Sequence, residues 1–495
     1  MENLSALLHG FSVALTTYHI ALMVIGVLLG ILVGVLPGLG APNGVSLLLP
    51  LTFGMDPVSA IILLSSMYWG ALFGGSTTSI LFNIPGEPSS VATTFDGYPM
   101  ARDGRPTTAL TTAFVSAAFG ALVGVALITL LASWVAKVAL QFGPAEYFAV
   151  YFLAFSSFIG MGGSVPTKTL VSLASGFAIA AIGIDTISGS VRLTMGVDEL
   201  VKGVSFIVAV MGLFGIGELL IAVEEETNVK GINSKIDWRE VTRTAIGLPR
   251  RGWVLLRSAA IGCWMGITPG GPTAASFMSY GIAKRFSPHK DRFGHGEPDG
   301  IIAPETADHA AGTSALLPML ALGIPGSATA AVMMGGLMIW GLNPGPMLFI
   351  EQKDFVWGLI ASMYMGNVVA LVLVLLTVPV FAALMRVPFF IIAPLILVIV
   401  TVGAYSVSGS YLDVVLMMGF GVVGYLFKKL DYPVAPLVLA IVIGDKAEDA
   451  FRQAMLLSSG SLTIFFSNAL VTAIMVLGII FILMPLVGRL WPRRS

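Results

Sequence analysis

The chain has 495 residues, of which 56% are hydrophobic and 11% charged, and its net charge is −1. A soluble domain carries about 25% charged residues, so composition excludes a chain that faces water over most of its surface. The near-zero net charge offers no global field for nucleic acid.

Mean hydropathy is +0.92. The apolar runs are long and continuous, not short and alternating, which selects an all-α polytopic membrane protein over an outer-membrane barrel. Cys263, the single cysteine, has no intrachain partner and sits in an apolar run as a packed thiol.

Residues 1–18 carry Glu2 and no Lys or Arg. No small-residue cleavage site follows the apolar run from His19 to Leu36, so that run reads as a transmembrane helix and not as a signal peptide. Candidate spans then follow at 57–83, 108–140, 145–161, 166–184, 200–222, 253–268, 272–283, 310–340, 355–385, 387–403, 411–427, 433–444 and 461–490. The run 108–140 is one tilted helix or two tight ones. Segment 41–55 reads as re-entrant, and 272–283 is a candidate for the same role. The sum is about twelve transmembrane helices with re-entrant or broken helices among them.

The longest polar stretch, 224–257, holds Lys230, Lys235, Arg239, Arg243, Arg250, Arg251 and Arg257. It is too short for a domain, and the positive-inside rule makes it cytoplasmic. Arg489, Arg493 and Arg494 place the C-terminus on the same side. The basic stretch separates a first half, 1–223, from a second, 258–495. Each half is interrupted twice, near 37–55 and 76–90 and near 268–285 and 308–330. The interruptions match in text: Pro37-Gly38-Leu39-Gly40 and Pro269-Gly270-Gly271, then Asn83-Ile84-Pro85-Gly86 and Gly323-Ile324-Pro325-Gly326. The halves therefore read as two structural repeats, with inverted topology the favoured form.

Pro and Gly release backbone groups from the helical ladder. In a bilayer those groups are tolerated only where protein or a polar cavity covers them. Paired breaks in corresponding positions point to a transporter substrate site, and helix N-termini at the breaks favour an anion. Gly38, Gly40, Asn43, Ser46, Ser76, Thr77, Thr78, Asn83, Pro85, Gly86, Gly270, Gly271, Thr273, Gly326, Ser327 and Thr329 are the candidate substrate or ion ligands. The competing reading is that the glycines only let helices pack closely. Asp308 and His309 enter an apolar run and join the list, since intramembrane ionisable groups are functional by default and an imidazole exchanges protons near neutral pH. Asp96 and Glu305 are candidates for coupling or gating. Glu448 and Arg452 fall on one helix face as a structural ion pair.

Enzyme motifs fail. There is no H-E-x-x-H, and Gly162–Thr169 departs from a P-loop at Thr167. The chain is read as a non-enzyme without cofactor, driven by Na+ or H+ and holding no metal beyond a transported Na+.

The chain resembles the large membrane subunit of the tripartite tricarboxylate transporter family, the TctA family. The resemblance lies in Pro37–Gly40, Tyr68-Trp69-Gly70-Ala71-Leu72-Phe73-Gly74-Gly75-Ser76, Asn83–Pro88, Asp96-Gly97-Tyr98-Pro99-Met100-Ala101, Phe293–Gly296, Ala303-Pro304-Glu305, Leu322–Ser327, Gly341–Pro346 and Tyr432–Leu437. It implies a multi-pass protein of the bacterial inner membrane that imports small organic anions, di- and tricarboxylates, by sodium or proton symport. It also implies two partners beside membrane lipid: a small four-helix membrane subunit and a periplasmic solute-binding protein. Ala283 stands where family members carry an acid, and Asp308-His309 where they carry two asparagines. A stand-alone cation–carboxylate symporter is the alternative, and a passive channel a more distant one.

Overall fold

The computed structural model describes residues 2–36, 39–161, 165–224, 236–268, 271–384 and 389–490. Pro37, Gly38, Gly162 to Ser164, Lys230, Lys235, Pro269, Gly270, Arg493 and Arg494 lie outside them, as does the Arg489 side chain.

The described chain is helical apart from one short hairpin, β1 (Gly183–Ile184) paired antiparallel with β2 (Val191–Arg192). The first half runs α1 (Glu2–Ala14), α2 (Thr17–Val35), α3 (Gly40–Leu48), α4 (Pro57–Phe82), α5 (Val91–Arg102), α6 (Pro106–Ala139), α7 (Pro144–Met161), α8 (Pro166–Ala180), α9 (Phe206–Val210) and α10 (Gly217–Glu224). A π-helical turn, Met211–Ile216, joins α9 to α10. The second half runs α11 (Trp238–Gly247), α12 (Gly252–Ile267), α13 (Gly271–Phe286), α14 (Asp299–Ser314), α15 (Leu316–Leu322), α16 (Ala328–Ile339), α17 (Leu348–Glu351), α18 (Lys353–Leu384), α19 (Phe389–Ser408), α20 (Tyr411–Lys429), α21 (Val434–Leu457) and α22 (Ala469–Leu490).

Six helical stretches among the described residues are long and apolar enough to cross a membrane unaided: α2, α4, α6, the run from α9 to α10, α18 to Ala383, and α20. The expectation of about twelve crossings is larger because it also includes shorter helices, among them α7, α19, α21 and α22 and the pieces beside the breaks. Helices α12, α13 and α14 have 16 residues each. At 1.5 Å per residue that is about 24 Å, short of a hydrocarbon core of about 30 Å. The run 108–140 belongs to one helix of 34 residues, α6.

Two helices carry the core. Helix α4 starts on Asp56, whose carboxylate accepts the Ser59 N–H at 3.0 Å, with Pro57 at its first position. It is buried on all faces over most of its length, as an apolar and small-residue sequence without a polar stripe requires. Helix α14 is buried throughout from Gly300 to Ser314. Its polar side chains are turned into protein, where Glu305 accepts from Ser76 and Thr93 of the first half.

Both core helices receive a neighbour at backbone distance. A Cβ on Gly30 or Gly34 of α2 would lie 2.1 or 2.0 Å from the Met67 or Ala71 carbonyl oxygen of α4. On Gly262 or Gly266 of α12 it would lie 2.3 Å from that of Ala307 or Ala311 of α14. Small residues at this spacing let helices pack without a hydrophobic drive from solvent.

The breaks that follow are also built alike. Helix α4 ends on Asn83 in the left-handed region, φ 58°, and the Ile84 N–H reaches the Thr78 carbonyl at 3.4 Å. Helix α15 ends on Gly323, φ 69°, and the Ile324 N–H reaches the Pro318 carbonyl at 3.2 Å. These are Schellman-type endings, which need a residue that tolerates positive φ. Asn83→Gly should therefore leave the thermal midpoint in detergent unchanged or higher. Asn83→Val should cost about 1–2 kcal/mol, the penalty for a β-substituted left-handed residue. Equal melting of the two variants would remove the cap from the account of this break.

Candidate functional site

The first break brings a carboxylate to a helix start. Gly40 takes φ 56° and opens α3. The next N–H, of Ala41, donates to Oε1 of Glu87 at 2.5 Å. Glu87 follows Gly86 in the loop after α4 and is buried. Its own N–H donates to Ser90 Oγ at 3.3 Å, and Ser79 Oγ donates to Ser90 Oγ at 2.9 Å. A carboxylate at a helix N-terminus is favoured by the unpaired N–H groups and by the helix dipole. At the second break the helix start is capped by a neutral group: Ser327 Oγ accepts the Ala330 N–H at 3.1 Å to open α16.

Glu305 on α14 ties the halves together. Its Oε2 accepts from Ser76 Oγ of α4 at 2.7 Å, and its Oε1 accepts from Thr93 Oγ1 of α5 at 2.5 Å. One helical turn on, the His309 ring packs against Phe73 with centroids 4.6 Å apart and donates from Nδ1 to the Glu305 carbonyl at 3.2 Å. Asp308 lies beside Ser89 and within reach of the fields of Glu305 and Glu87. The Tyr68 hydroxyl of α4 is close to Glu87 and Asp308 and lies beside Ser327 and Thr329. Glu305, Asp308, His309 and Tyr68 are all within 2% of complete burial. Parts of both breaks and of both core helices thus meet in one polar cluster.

The other sequence candidates fall around this cluster in different ways. Asn43 and Ser46 are buried on α3, and Ser46 Oγ donates to the Pro42 carbonyl at 2.7 Å. Thr77 and Thr78 donate to the carbonyls of Phe73 and Gly75 at 3.0 Å, within α4. Asn83 is exposed and serves as the helix ending. Pro85 is half-buried, and Gly86 packs so tightly that a Cβ would lie 2.0 Å from the Gly34 carbonyl oxygen. Gly326 does the same against Gly266, at 2.4 Å. Gly271 opens α13 at φ 69°, and Thr273 on its first turn is half-buried. Gly38 and Gly270 lie outside the described residues.

Asp96 is separate. Its Oδ1 accepts the N–H groups of Gly294, Gly296 and Glu297 at 2.9, 3.0 and 2.8 Å, and its Oδ2 accepts the Tyr280 hydroxyl at 3.0 Å. Every lone pair faces a protein donor, so this carboxylate holds the loop before α14 against α5.

Sequence reading passed over Glu87, Tyr68, Ser89 and Thr93. Glu87 had a signal, an acid directly behind a Pro-Gly break in a chain poor in charge. Tyr68 had none in its local pattern, because only the packing of α4 on the second break aims its hydroxyl.

Ion pairs lie away from the cluster. Arg452 bonds Glu448 at 3.2 Å, the pair expected from spacing, and also Asp185 at 2.8 Å. Arg192 bonds Glu448 at 2.8 Å. Arg452, followed by the Ile187 N–H, holds the Asp185 carboxyl well below the usual carboxylate range. In the basic stretch, Arg251 bonds Glu297 and Asp299 at 3.0 and 2.5 Å. Lys428 pairs with Glu218, and Lys429 with Glu224 at 2.5 Å.

Apolar helices with close-packed glycines, matched breaks and an interior polar cluster define a multi-pass membrane protein of the transporter class. The chain belongs to the tripartite tricarboxylate transporter TctA family, which matches it over residues 20–439. A protein of Agrobacterium vitis, an uncharacterized 52.8 kDa protein in the TAR-I ttuC' 3' region, is 36% identical over 504 residues, covering 100% of this chain and 98% of its own. Another from the same organism, an uncharacterized protein in the TAR-II ttuC' 3' region, is 32% identical over 235 residues, covering 47% of this chain and 97% of its own. No solved structure matches the chain.

Proposed function

We propose that the chain is the permease subunit of a binding-protein-dependent secondary transporter that imports small di- or tricarboxylates with Na+ or H+. Its partners are a small four-helix membrane subunit and a periplasmic solute-binding protein, in a bacterial inner membrane. The two halves, 1–223 and 258–495, act as structural repeats joined by the cytoplasmic stretch 224–257, and move in an elevator-like alternating-access cycle.

The observation that carries this reading is the convergence of both breaks on one buried cluster. Glu87 at the start of α3 and Ser327 at the start of α16 lie near the same Tyr68 hydroxyl. Helix starts inside a membrane favour anionic groups, and their freed carbonyls favour cations. A carboxylate and its coupling cation therefore find complementary partners within one cluster.

Vesicles holding the chain and the small subunit test it. With binding protein and a cation gradient, labelled organic acid should accumulate above its outside concentration, and leaving out the binding protein should abolish this. Accumulation without binding protein would identify a stand-alone symporter. Equilibration without accumulation would identify a pore.

A further inference from the structure

Glu87, Glu305 and Asp308 are three acids within one buried cluster. Among the described residues, none of them is paired with Lys or Arg, and the cationic candidate nearest to them is His309, whose Nδ1 is 3.9 Å from Asp308 Oδ2 and 4.0 Å from Glu305 Oε2. The acids are not equally served. Both oxygens of Glu305 accept hydroxyl donors, and Glu87 accepts a backbone N–H. Asp308 Oδ1 has no partner. Three further buried polar atoms of the cluster are also without one, Ser89 Oγ, the Tyr68 hydroxyl and His309 Nε2. Because His309 Nδ1 donates to a carbonyl, Nε2 presents a lone pair. An unpaired buried charge is costly enough that the site binds a cation or a proton.

We propose that Asp308 is the residue that carries a transported proton, in a cluster completed by Glu87, Glu305, Tyr68 and His309. This rests on the transport reading above and selects one coupling ion for it. A sodium ion needs several lone pairs aimed at one point. Each Glu305 oxygen already accepts a hydroxyl hydrogen, and the His309 Nδ1 hydrogen faces a carbonyl. A proton needs one acceptor, and Asp308 Oδ1 is that acceptor.

The groups acting on Asp308 come from three elements: Glu305 and His309 from its own helix, Glu87 with Ser89 from the loop before α5, and Tyr68 from α4. The step is a proton transfer without redox change. Asp308 takes H+ from water on one face, forming an O–H bond, and returns it to water on the other face as the substrate anion leaves. Tyr68 joins the acid to the second break, since its hydroxyl also lies beside Ser327 and Thr329. Occupancy at the break and protonation of Asp308 are thereby linked.

The full chain, purified in detergent, gives the first test. Infrared difference spectra between about pH 5 and 8 should show a protonated-carboxyl C=O band growing as pH falls, and Asp308→Asn should lose it. Asp308→Glu should return a band at a shifted frequency. A band that survives Asp308→Asn overturns the proposal, as does a wild-type band erased by Na+ at fixed pH. Where Asp308→Asn does not fold, Tyr68→Phe replaces it: the wild-type band should move, and an unmoved band overturns the proposal. In vesicles with the partner subunits, Asp308→Asn should lose the response of uptake to an imposed pH gradient. Failure of the transport reading has its own signature, wild-type vesicles that exchange no organic acid whatever the infrared spectra show.

Discussion

Asp96→Ala is expected to lower stability by more than about 4 kcal/mol, the largest loss of any single polar substitution here. Asp96 accepts three backbone N–H groups from residues 294–297 and the Tyr280 hydroxyl. Truncation removes the acceptor of four donors; the Gly296 and Glu297 N–H groups are buried, and each costs about 1–3 kcal/mol without a partner, while the Gly294 N–H and the Tyr280 hydroxyl are part-buried and add less. No other acceptor replaces it easily. A Cβ at Gly300 would lie 2.1 Å from Asp96 Oδ2, so α14 is already pressed against the carboxylate. Asp96→Asn should cost much less, about 1–2 kcal/mol. Its carbonyl oxygen can take the three N–H groups, and the Tyr280 hydroxyl can turn to accept from the amide. Thermal unfolding in detergent, with proteolysis in the loop 287–298 as a second readout, checks this. Equal losses in the two variants would show that charge, and not donor satisfaction, holds the loop.

The breaks were legible because they are written in residue types whose backbone effects are local. Pro85 and Pro325 fall between helices. Glu448 with Arg452 was legible for the same reason, a spacing within one helix. The partners of the buried acids were not. Glu305 takes Ser76 and Thr93 from more than 200 residues away, in the manner that α14 and the first half happen to pack. The burial of α14 was not legible because its polar residues resemble an interfacial loop, whereas the structure buries the helix from Gly300 to Ser314. Asp96 resembled Glu305 in sequence, an acid near a Gly or Pro. Their donors differ: Asp96 takes three backbone N–H groups and a phenol, Glu305 two hydroxyls.

Glu305→Gln should leave the fold within about 1 kcal/mol of the parent and reduce uptake by more than about tenfold, a factor worth about 1.4 kcal/mol. The two effects part because the structural bonds survive. A glutamine carbonyl can still accept from Thr93 or Ser76, and the other hydroxyl can accept from the amide. Ser76 Oγ also lies 3.2 Å from the Leu72 carbonyl, so it has a second acceptor within α4. What the substitution removes is the negative charge beside Asp308 and the ionisable bridge between the halves. In a membrane interior a charge without a cationic partner is costly and is kept for function. Helix α14 with α4 and α5 on the other side of that bridge must also part, or move together, if one half travels against the other. Glu305→Leu separates these roles further, since it breaks the bridge and removes the charge. If uptake falls equally in Gln and Leu, the charge is the functional element. If Gln transports like wild type while Leu does not, Glu305 acts by joining α14 to the first half, and the proton on Asp308 is set by Glu87 and Tyr68 alone.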